Sequence, residues 1–576
     1  MLQKEDDDMR KSVFAGALVL GAALLFTPED MAQAKEAPAD GNIPLTSEYF
    51  RDEWFLKSAA GYDKDKDGYL SPEETAAVTK LWCVRDLTDF SQVQYFTNLR
   101  ELTVWTENDI DKYDLWVGDD IDLTVFPNLE DVRLLLDSRK APAGVSDIQV
   151  RVSGLEHLKS FQVSDKGSNG DGSYSGTDAK IGVVDLRGTK ELETVSVSDA
   201  RGVIFDEDNQ ITWIYLGNIT EVSNNMFQGF EKLEHLWFWS NVSEFTQFDA
   251  TGLNALTELT LVNKYLQTAE ISGSGALREV TIQSDVLEEI DLPQSTGLKW
   301  LALECPKLKT VDLASAGTLE SVTIKSGLLN QLNVEENTSL TSLSVDADQL
   351  KSLDVTKNTK LENLHVKSGV LAKLNLKKNG KLKNLAVVCG KLGTLDISAN
   401  TKLTWISIDG TPLKSLNLSK QKELTQLYFS NNSKLAKLDL SKNTKMSTLD
   451  IQNTALKALN VSKMSKLKEL KLIGNKKLTK LDLSKNKRLS WLVVNGSKKL
   501  TALDLSNNKK LHTIDVKNNG LKKLKLGKKL SLESLRCQKN NLKELDFTGV
   551  DTSFVREVVC DKGVKIKGYK GKVKRV

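Results

Sequence analysis

Proline and cysteine are both scarce in this sequence. Its 576 residues contain 9 prolines and 5 cysteines, while 40% of the residues are apolar. This composition excludes a proline-rich disordered chain, because the apolar side chains suffice for a continuous core. An odd number of cysteines at uneven spacing also excludes a disulfide framework as the basis of the fold. The cysteines are Cys83, Cys305, Cys389, Cys537 and Cys560.

Hydrophobic runs long enough to cross a membrane are absent after the first 34 residues. Residues 12–26 form an apolar stretch that follows Arg10 and Lys11, and the small-residue pattern A-Q-A follows it before Lys35. This order is typical of a secretory signal peptide, so residues 1–34 are predicted to be removed from a secreted or cell-surface protein. The alternative is an uncleaved membrane anchor, for which the apolar stretch is short.

The net charge of +2 conceals a strong asymmetry along the chain. Residues 351–576, here called the basic half, carry 50 Lys and Arg but 17 Asp and Glu, whereas residues 1–350 carry 29 and 60. Opposite charge at the two ends of one molecule favours oriented attachment to a charged partner. A second interpretation is that lysine-rich turns only keep a long molecule soluble.

A repeated motif occupies most of the chain. It has the form L-x-x-L-x-V, with Ile or Leu also used at the last position, and successive copies begin 21 or 22 residues apart. A second, similar copy lies halfway through each period, so each period contains two short extended segments that direct Leu inward. The first copies begin at Leu256, Leu277, Leu298, Leu319, Leu340, Leu361, Leu382, Leu403, Leu424, Met446, Leu467, Leu489, Leu511 and Leu532.

This period predicts a mainly β solenoid, a leucine-rich-repeat array with two short extended segments per coil. The predicted divisions are a signal peptide at 1–34, a helical cap at 35–80, irregular repeats with insertions at 81–255, regular repeats at 256–550, and a last coil with a basic tail at 551–576. In the irregular part, register positions fall at Leu99, Leu129, Leu158, Leu192 and Leu233.

Asparagine recurs three residues after the last apolar position of the second segment. An inward-facing amide can bond to backbone groups at the bend, where no strand partner exists. We therefore predict a structural role for these residues. They are Asn358, Asn379, Asn400, Asn443, Asn486 and Asn508.

Groups for catalysis are few. The four histidines, His157, His235, His365 and His512, would lie many coils apart in a repeat array and could not form a metal site or a triad together. The sequence has no Gly-rich phosphate loop and no paired-carboxylate motif. These features predict that the protein is not an enzyme.

The sequence D-K-D-K-D-G-Y-L-S-P-E-E, which begins at residue 63, matches every constrained position of an EF-hand calcium loop. Gly68 permits the sharp turn, and Leu70 is the usual apolar residue beside a partner segment. Since no second loop is present, calcium is predicted to stabilise a lone EF-hand, held by the first repeat, rather than to act as a signal. The predicted calcium ligands are Asp63, Asp65, Asp67, Tyr69, Ser71 and Glu74.

Residues 532–547 read L-E-S-L-R-C-Q-K-N-N-L-K-E-L-D-F, and this pattern resembles the repeats of bacterial leucine-rich-repeat surface proteins of the internalin J type. The resemblance covers about residues 81–560. It implies that Cys537 and Cys560 stack in the core, although most other coils carry Val, Ile, Leu or Phe in place of Cys. It also implies a bacterial surface protein with an N-terminal helical cap that is similar to an EF-hand.

Aromatic residues recur at positions that strand alternation places on the outer surface. Trp300, Trp405 and Trp491 occupy the third position of the motif, and Tyr428 lies one coil beyond Trp405. Trp237 and Trp239 flank Phe238 and should also face outward. These six residues are predicted to contact a ligand, and ordinary surface cover is the alternative.

The function predicted from these features is a secreted or surface binding module, similar to an adhesin, that recognises an extracellular protein or glycan through the concave face of its strands. The alternative is a non-specific wall or matrix component that binds anionic polymers through its basic half. Nucleic acid is not expected as a partner, and neither is a transmembrane segment after signal cleavage.

Overall fold

The computed structural model describes residues 36–84, 90–105, 120–137, 145, 147–165, 180–293, 297–528 and 530–576. The predicted signal peptide, residues 1–34, lies outside the described residues. The fold is a mainly β solenoid, as predicted, with one long parallel sheet on one side of the coils.

This long sheet, here called the main sheet, takes one strand from each coil. Consecutive strands pair in parallel without register shifts, and within the described residues the first and last strands each pair with one neighbour, so the sheet is open at both ends. Its strands are Lys80–Val84, Glu101–Trp105, Asp131–Leu136, Ser160–Asp165, Thr194–Ser198, Trp213–Gly217, His235–Trp239, Glu258–Val262, Glu279–Gln283, Trp300–Glu304, Ser321–Ser326, Ser342–Ala347, Asn363–Ser368, Asn384–Cys389, Trp405–Asp409, Gln426–Ser430, Thr448–Gln452, Glu469–Ile473, Trp491–Asn495, Thr513–Asp515, Ser534–Arg536, Glu557–Cys560 and Lys574–Arg575.

The second segment of many coils forms a strand on the other side, although some coils have no strand there or only an isolated bridge. In the irregular repeats these make a four-stranded parallel sheet of Asp120–Asp122, Asp147–Arg151, Lys180–Asp185 and Ala200–Ile204. Farther along, they pair two by two as Gln247–Asp249 with Thr268–Glu270, Gln331–Leu332 with Ser352–Leu353, Ser415–Asn417 with Lys437–Asp439, Ala458–Leu459 with Lys480–Leu481, Ala502–Asp504 with Lys523–Lys525, and Glu544–Asp546 with Lys565–Lys567. Between the two sides, the Leu, Ile and Val residues of successive coils form one continuous core.

The irregular repeats contain a coil that the sequence analysis does not identify. The sequence predicts one long spacing between Leu192 and Leu233, but the strand Trp213–Gly217 lies within it and pairs with strands on both sides. Its coil begins at Ile211, which is buried where other coils have Leu. The motif is therefore I-x-x-I-x-L, and a search for Leu at the first position misses it.

The predicted role of the recurring asparagines is confirmed. The Asn358 amide donates to the carbonyl oxygens of Val334 at 2.7 Å and Asn337 at 2.9 Å, both in the preceding coil. Equivalent bonds join successive coils, and Met464 interrupts the series. This set, here called the asparagine ladder, consists of Asn337, Asn358, Asn379, Asn400, Gln421, Asn443, Asn486 and Asn508.

The N-terminal segment contains two short helices, α1, Glu53–Ala59, and α2, Pro72–Ala77. A 3-10 helix, Phe90–Tyr95, follows the first main-sheet strand. Aromatic side chains join the cap to the first coil, and the rings of Phe55 and Phe96 lie 6.4 Å apart between centroids. The core of this segment is therefore continuous with the solenoid core.

Candidate functional site

The first candidate site is the loop between α1 and α2. The carboxylates of Asp63, Asp65 and Asp67 each offer an oxygen within 4.8 Å of the others. The backbone has a positive φ at Lys66 (63°) and at Gly68 (88°), which turns the loop back on itself. Among the described residues, this is the one group of three or more His, Cys, Asp or Glu side chains that converges in this way.

Hydrogen bonds hold the loop in this shape. Asp63 accepts from the backbone N–H groups of Lys66 at 2.6 Å and Gly68 at 3.1 Å. Asp67 accepts from the Tyr69 N–H at 2.8 Å. These bonds hold the carboxylates of Asp63 and Asp67 so that both face the inside of the turn. Oxygen ligands placed in this way suit a hard cation.

Glu74 closes the loop from the other side. Its carboxylate accepts from the backbone N–H groups of Lys64 at 2.6 Å and Ser71 at 2.9 Å, and from the Ser71 hydroxyl. Ser71 is in turn the N-cap of α2 and completes a capping box with Glu74. The backbone bond from Ser71, followed by that from Lys64, lowers the pKa of Glu74, so this group stays ionised for a cation.

Negative charge accumulates at the centre of the loop. The backbone hydrogen bond from Asp67 lowers the pKa of Asp65, but desolvation and the charges of Asp67 and Glu74 outweigh it, and the resulting pKa lies above the usual value. Carboxylates that crowd one another gain from a shared cation, because it replaces their mutual repulsion by attraction. The donor set therefore fits calcium, with Asp63, Asp65, Asp67 and Glu74 as its charged ligands.

The sequence predicts that the first repeat holds the loop, but the strand that pairs with the loop comes from a different segment. Tyr69–Leu70 pairs antiparallel with Ile43–Pro44, and the Leu45 N–H donates to the Gly68 carbonyl at 3.0 Å. In an antiparallel ladder bonded and non-bonded residue pairs alternate, so the Tyr69 carbonyl faces the loop rather than this partner strand. A short segment before the loop thus takes the place of a second EF-hand loop.

The second candidate site is the outer surface of the main sheet, where the structure places all six predicted aromatic residues. Trp300 and Trp237 are 56% and 45% exposed, and the others are partly buried. Trp405 and Tyr428 lie on adjacent strands with ring centroids 5.9 Å apart. Trp300, Trp405 and Trp491 share one register position but are several coils apart, so they do not form one contact surface with each other.

A denser cluster includes two residues that the sequence analysis missed. Trp213 and Tyr215 stack with centroids 6.5 Å apart and an interplanar angle of 18°, and Tyr215 lies 6.5 Å from Trp237 on the next strand. With Trp239 they form the aromatic patch, defined here as Trp213, Tyr215, Trp237 and Trp239. The missed pair belongs to the coil that begins at Ile211, so allowing Ile at the first motif position would have found it.

A groove of about 430 Å³ adjoins the aromatic patch at Trp239. It crosses the ends of five consecutive main-sheet strands, and its lining contains both apolar and polar side chains. Glu304 and Lys325 form an ion pair within it. The lining includes Trp239, Val262, Gln283, Glu304 and Lys325, together with polar turn residues such as Asn241 and Asp285. An apolar platform beside a polar groove can hold a ligand that has both kinds of surface.

The cysteines are core residues. All five are buried thiols. Cys537 directly follows the strand Ser534–Arg536 and Cys560 ends the neighbouring strand, so the two continue the same register, as the resemblance implies. Burial raises the pKa of Cys305 and of Cys389 to about 11. Such thiols are poor nucleophiles at neutral pH, since the reactive form is the thiolate.

No helix within the described ranges is both long and apolar enough to cross a membrane. The histidines remain separate: His235 lies 3.1 Å from Glu258, and His157 lies 3.4 Å from Glu191. Both contacts are between exposed or partly exposed side chains on neighbouring coils.

The coil geometry defines the class of protein: the chain is a leucine-rich-repeat solenoid. No protein-family model and no curated protein matches it. Among solved structures it is similar to the functional domain of InlJ from Listeria monocytogenes, with 17% identity over 92% of this chain and 78% of that one, and a TM-score of 0.38.

Two other solved structures are similar in fold. A leucine-rich-repeat protein of Leptospira interrogans has 14% identity over 75% of this chain and 93% of its own, with a TM-score of 0.41. The plant peptide hormone receptor RGFR1, solved in complex with RGF2, has 11% identity over 84% of this chain and 92% of its own, with a TM-score of 0.45. At such identities the likeness extends to the fold alone.

Proposed function

We propose that this chain is a non-catalytic leucine-rich-repeat binding protein of the internalin J type, which a bacterium secretes or carries on its surface. Its aromatic patch recognises an extracellular protein or glycan. The observation that carries the proposal is the clustering of Trp213, Tyr215, Trp237 and Trp239 on two adjacent strands of the outer sheet surface. Large aromatic side chains grouped on a surface are the residues that contribute most to binding energy.

The position of the patch supports this interpretation over ordinary surface cover. Isolated aromatic residues, such as Trp300, need no special explanation on a protein surface. Four of them on adjacent strands, beside a polar groove, form a contact surface of the size that a ligand can bury. The rigid strands hold the rings in place before binding, which reduces the entropy cost of association.

Two further parts of the proposal concern location and metal. Secretion rests on the signal-like sequence of residues 1–34. Calcium at Asp63, Asp65, Asp67, Tyr69, Ser71 and Glu74 would stabilise the cap, where extracellular sites typically bind with a Kd of about 10⁻⁴ to 10⁻³ M. A structural role suits a loop that covers the end of a repeat array.

The binding proposal is tested on arrays of extracellular proteins and of glycans probed with the full chain, followed by affinity measurements on each binder. We expect the double variant Trp213→Ala/Trp237→Ala to lose at least about 2 kcal/mol of binding, or roughly 30-fold in Kd. The control is Trp300→Ala, which removes a tryptophan that is more exposed than either of these from the same sheet, and it should bind normally. Recognition by the patch would be contradicted if a binder had the same Kd for the double variant as for the unmodified chain, or if both variants lost the same affinity.

A second candidate function is attachment to an anionic polymer of the wall or matrix. It is favoured by the 50 Lys and Arg against 17 Asp and Glu in the basic half. This excess of positive charge is larger than solubility alone requires in a domain of this size.

A further inference from the structure

The bend that contains the asparagine ladder also carries much of the positive charge of the basic half. Each ladder amide faces inward and bonds to the bend of the preceding coil, so successive bends are stacked at hydrogen-bond distance. The residues on either side of each ladder position consequently face outward in a fixed register. The ladder thus determines the spacing of the side chains that flank it.

Lysine or arginine occupies twelve of the fourteen such positions in seven successive coils, and Ala399 and Glu423 are the two exceptions. The residue before the ladder position is Lys357, Lys378, Lys420, Lys442, Lys463 or Lys485. The residue two after it is Lys360, Lys381, Lys402, Lys445, Lys466 or Arg488. These twelve residues are here called the lysine edge, and all of them are exposed.

The lysine edge is nearly continuous. Neighbouring strands of a sheet lie about 4.8 Å apart, so the six coil steps from Lys357 to Lys485 extend for about 29 Å. The same two positions in the coil of Asn337 hold Glu336 and Ser339, so the edge begins abruptly with the next coil. The repeat geometry does not change at this boundary, since the ladder bonds continue through it.

Few carboxylates form ion pairs with this edge. Among the described residues, Lys357 lies 3.9 Å from Glu335 and Lys445 lies 2.5 Å from Glu423, and no other ion pair to the edge is within 4 Å. Aspartates such as Asp439 precede the bends, but their carboxylates accept backbone hydrogen bonds, here from Ser441 at 2.9 Å. The backbone hydrogen bond from Ser441 and the nearby charge of Lys442 both lower the pKa of Asp439.

The residue types indicate the kind of anion. Eleven of the twelve edge residues are lysine, which acts as a flexible point charge, whereas arginine is preferred for planar, bidentate recognition. Three of the seven bends read T-K-N-T-K, S-K-N-T-K and S-K-M-S-K, the other four read K-K-N-G-K, S-A-N-T-K, S-K-Q-K-E and S-K-N-K-R, and none of the seven contains an aromatic residue. Bases of single-stranded nucleic acid, and often sugar rings, require aromatic platforms, which this edge lacks.

We infer that the lysine edge binds a polyol phosphate, which is a flexible linear phosphodiester polymer that makes no ring-stacking contacts. The polymer lies along the solenoid axis, across successive bends. The inference rests on the second candidate function, because it assigns a place and a chemistry to the anionic polymer. Binding is electrostatic and releases counterions, so it weakens steeply with salt.

The test compares two variants of the full chain that lose the same charge. The edge variant is Lys442→Gln/Lys463→Gln/Lys466→Gln/Lys485→Gln. The control is Lys414→Gln/Lys437→Gln/Lys457→Gln/Lys480→Gln, which changes exposed lysines in the same region on or beside the second segments of the coils. Circular dichroism should confirm that both variants fold, since all eight side chains are exposed.

The probe is poly(glycerol phosphate), titrated at several salt concentrations. We expect the logarithmic salt slope of the edge variant to be shallower by about 3, at about 0.7 for each lost contact, and that of the control to change by less than about 1. Equal weakening of both variants would overturn the lysine edge but leave attachment by the basic half intact. No binding by the unmodified chain at about 0.1 M salt would overturn both. Tighter binding of heparin or of single-stranded DNA with the same number of charges would overturn the assignment to a ring-free phosphodiester.

Discussion

At the scale of single residues, the asparagine ladder illustrates how one side chain resolves a problem of the backbone. Carbonyl groups at a bend have no strand partner, and leaving them buried without a hydrogen bond is costly. Asn400 donates to the carbonyls of Leu376 at 3.0 Å and Asn379 at 2.8 Å, and its own side chain is fully buried. The amide is suited to this role because it carries two N–H donors on one group.

Asn400→Ala should reduce the free energy of unfolding by about 1 to 3 kcal/mol, because two buried carbonyls lose their donor. Urea denaturation followed by circular dichroism measures the effect. Met464→Asn is the matched variant, since it adds an amide at the ladder position that lacks one, and it should change stability by less than about 1 kcal/mol. A midpoint that does not move in Asn400→Ala would show that the ladder bonds contribute no net stability.

The buried thiols make stability depend on pH. The pKa of Cys305 and of Cys389 is raised from 9.0 to about 11, mainly by desolvation, so both stay protonated in the folded chain where the unfolded chain ionises. Their contribution is fully present below pH 9 and is lost as the pH rises toward 11. Ala347 occupies the matching register position between them, so alanine is compatible with the packing there.

We expect the free energy of unfolding of the unmodified chain to fall between pH 9 and 11 by up to about 1.4 kcal/mol for each thiol and each unit of pKa shift. Cys305→Ala/Cys389→Ala should lose this part of the pH dependence, while the contribution of the lysines remains in both proteins. Denaturation at pH 8, 9, 10 and 11 measures the difference between the two curves. Parallel curves over this range would contradict the assignment.

At the scale of elements, the cap combines the loop proposed to bind calcium with a strand that supports it. The Ile43–Pro44 strand pairs with Tyr69–Leu70, and the capping box at Ser71 fixes the start of α2. The loop residues follow from the sequence, because each ligand position is set by spacing alone. The partner strand does not, because two residues of extended chain carry no recognisable pattern.

Calorimetry on the full chain should detect calcium binding with a Kd of about 10⁻⁴ to 10⁻³ M. At ten times Kd, binding would stabilise the cap by about 1.4 kcal/mol against local unfolding, measured by hydrogen exchange. Asp63→Asn should abolish the heat. Glu74→Gln should weaken binding yet preserve the α2 cap, since glutamine also fits a capping box. Binding of equal strength in all three proteins would place the calcium elsewhere.

The strand Trp213–Gly217 is the element that most changes the candidate site. Its inward positions are Ile214 and Leu216, which are fully buried, and its outward positions carry Trp213 and Tyr215. Without this strand, Trp237 and Trp239 would be two aromatic residues on one edge of an insertion. With it, they belong to a four-ring surface on adjacent strands.

At the scale of the whole molecule, one coil geometry accommodates two different surfaces. The core and the ladder pass from residues 1–350 into the basic half without interruption, while the net charge changes from strongly negative to strongly positive. In a solenoid each coil contacts chiefly its neighbours, so exposed positions can change in one stretch without disturbing the fold elsewhere. The aromatic patch and the lysine edge are therefore separable surfaces, and variants of one should leave the other unaffected.

The sequence by itself determined the repeat, the inward Leu positions, the role of the ladder asparagines and the loop in which Asp63, Asp65 and Asp67 converge. All of these follow from spacing along the chain, since a period of 21 or 22 residues places equivalent side chains on one line. Only the tertiary structure decided that Trp213 and Tyr215 lie beside Trp237 and that Ile43–Pro44 pairs with Tyr69–Leu70. The physical reason is that side chains from different coils become neighbours through stacking, and the exact number of residues in each irregular coil determines which of them meet.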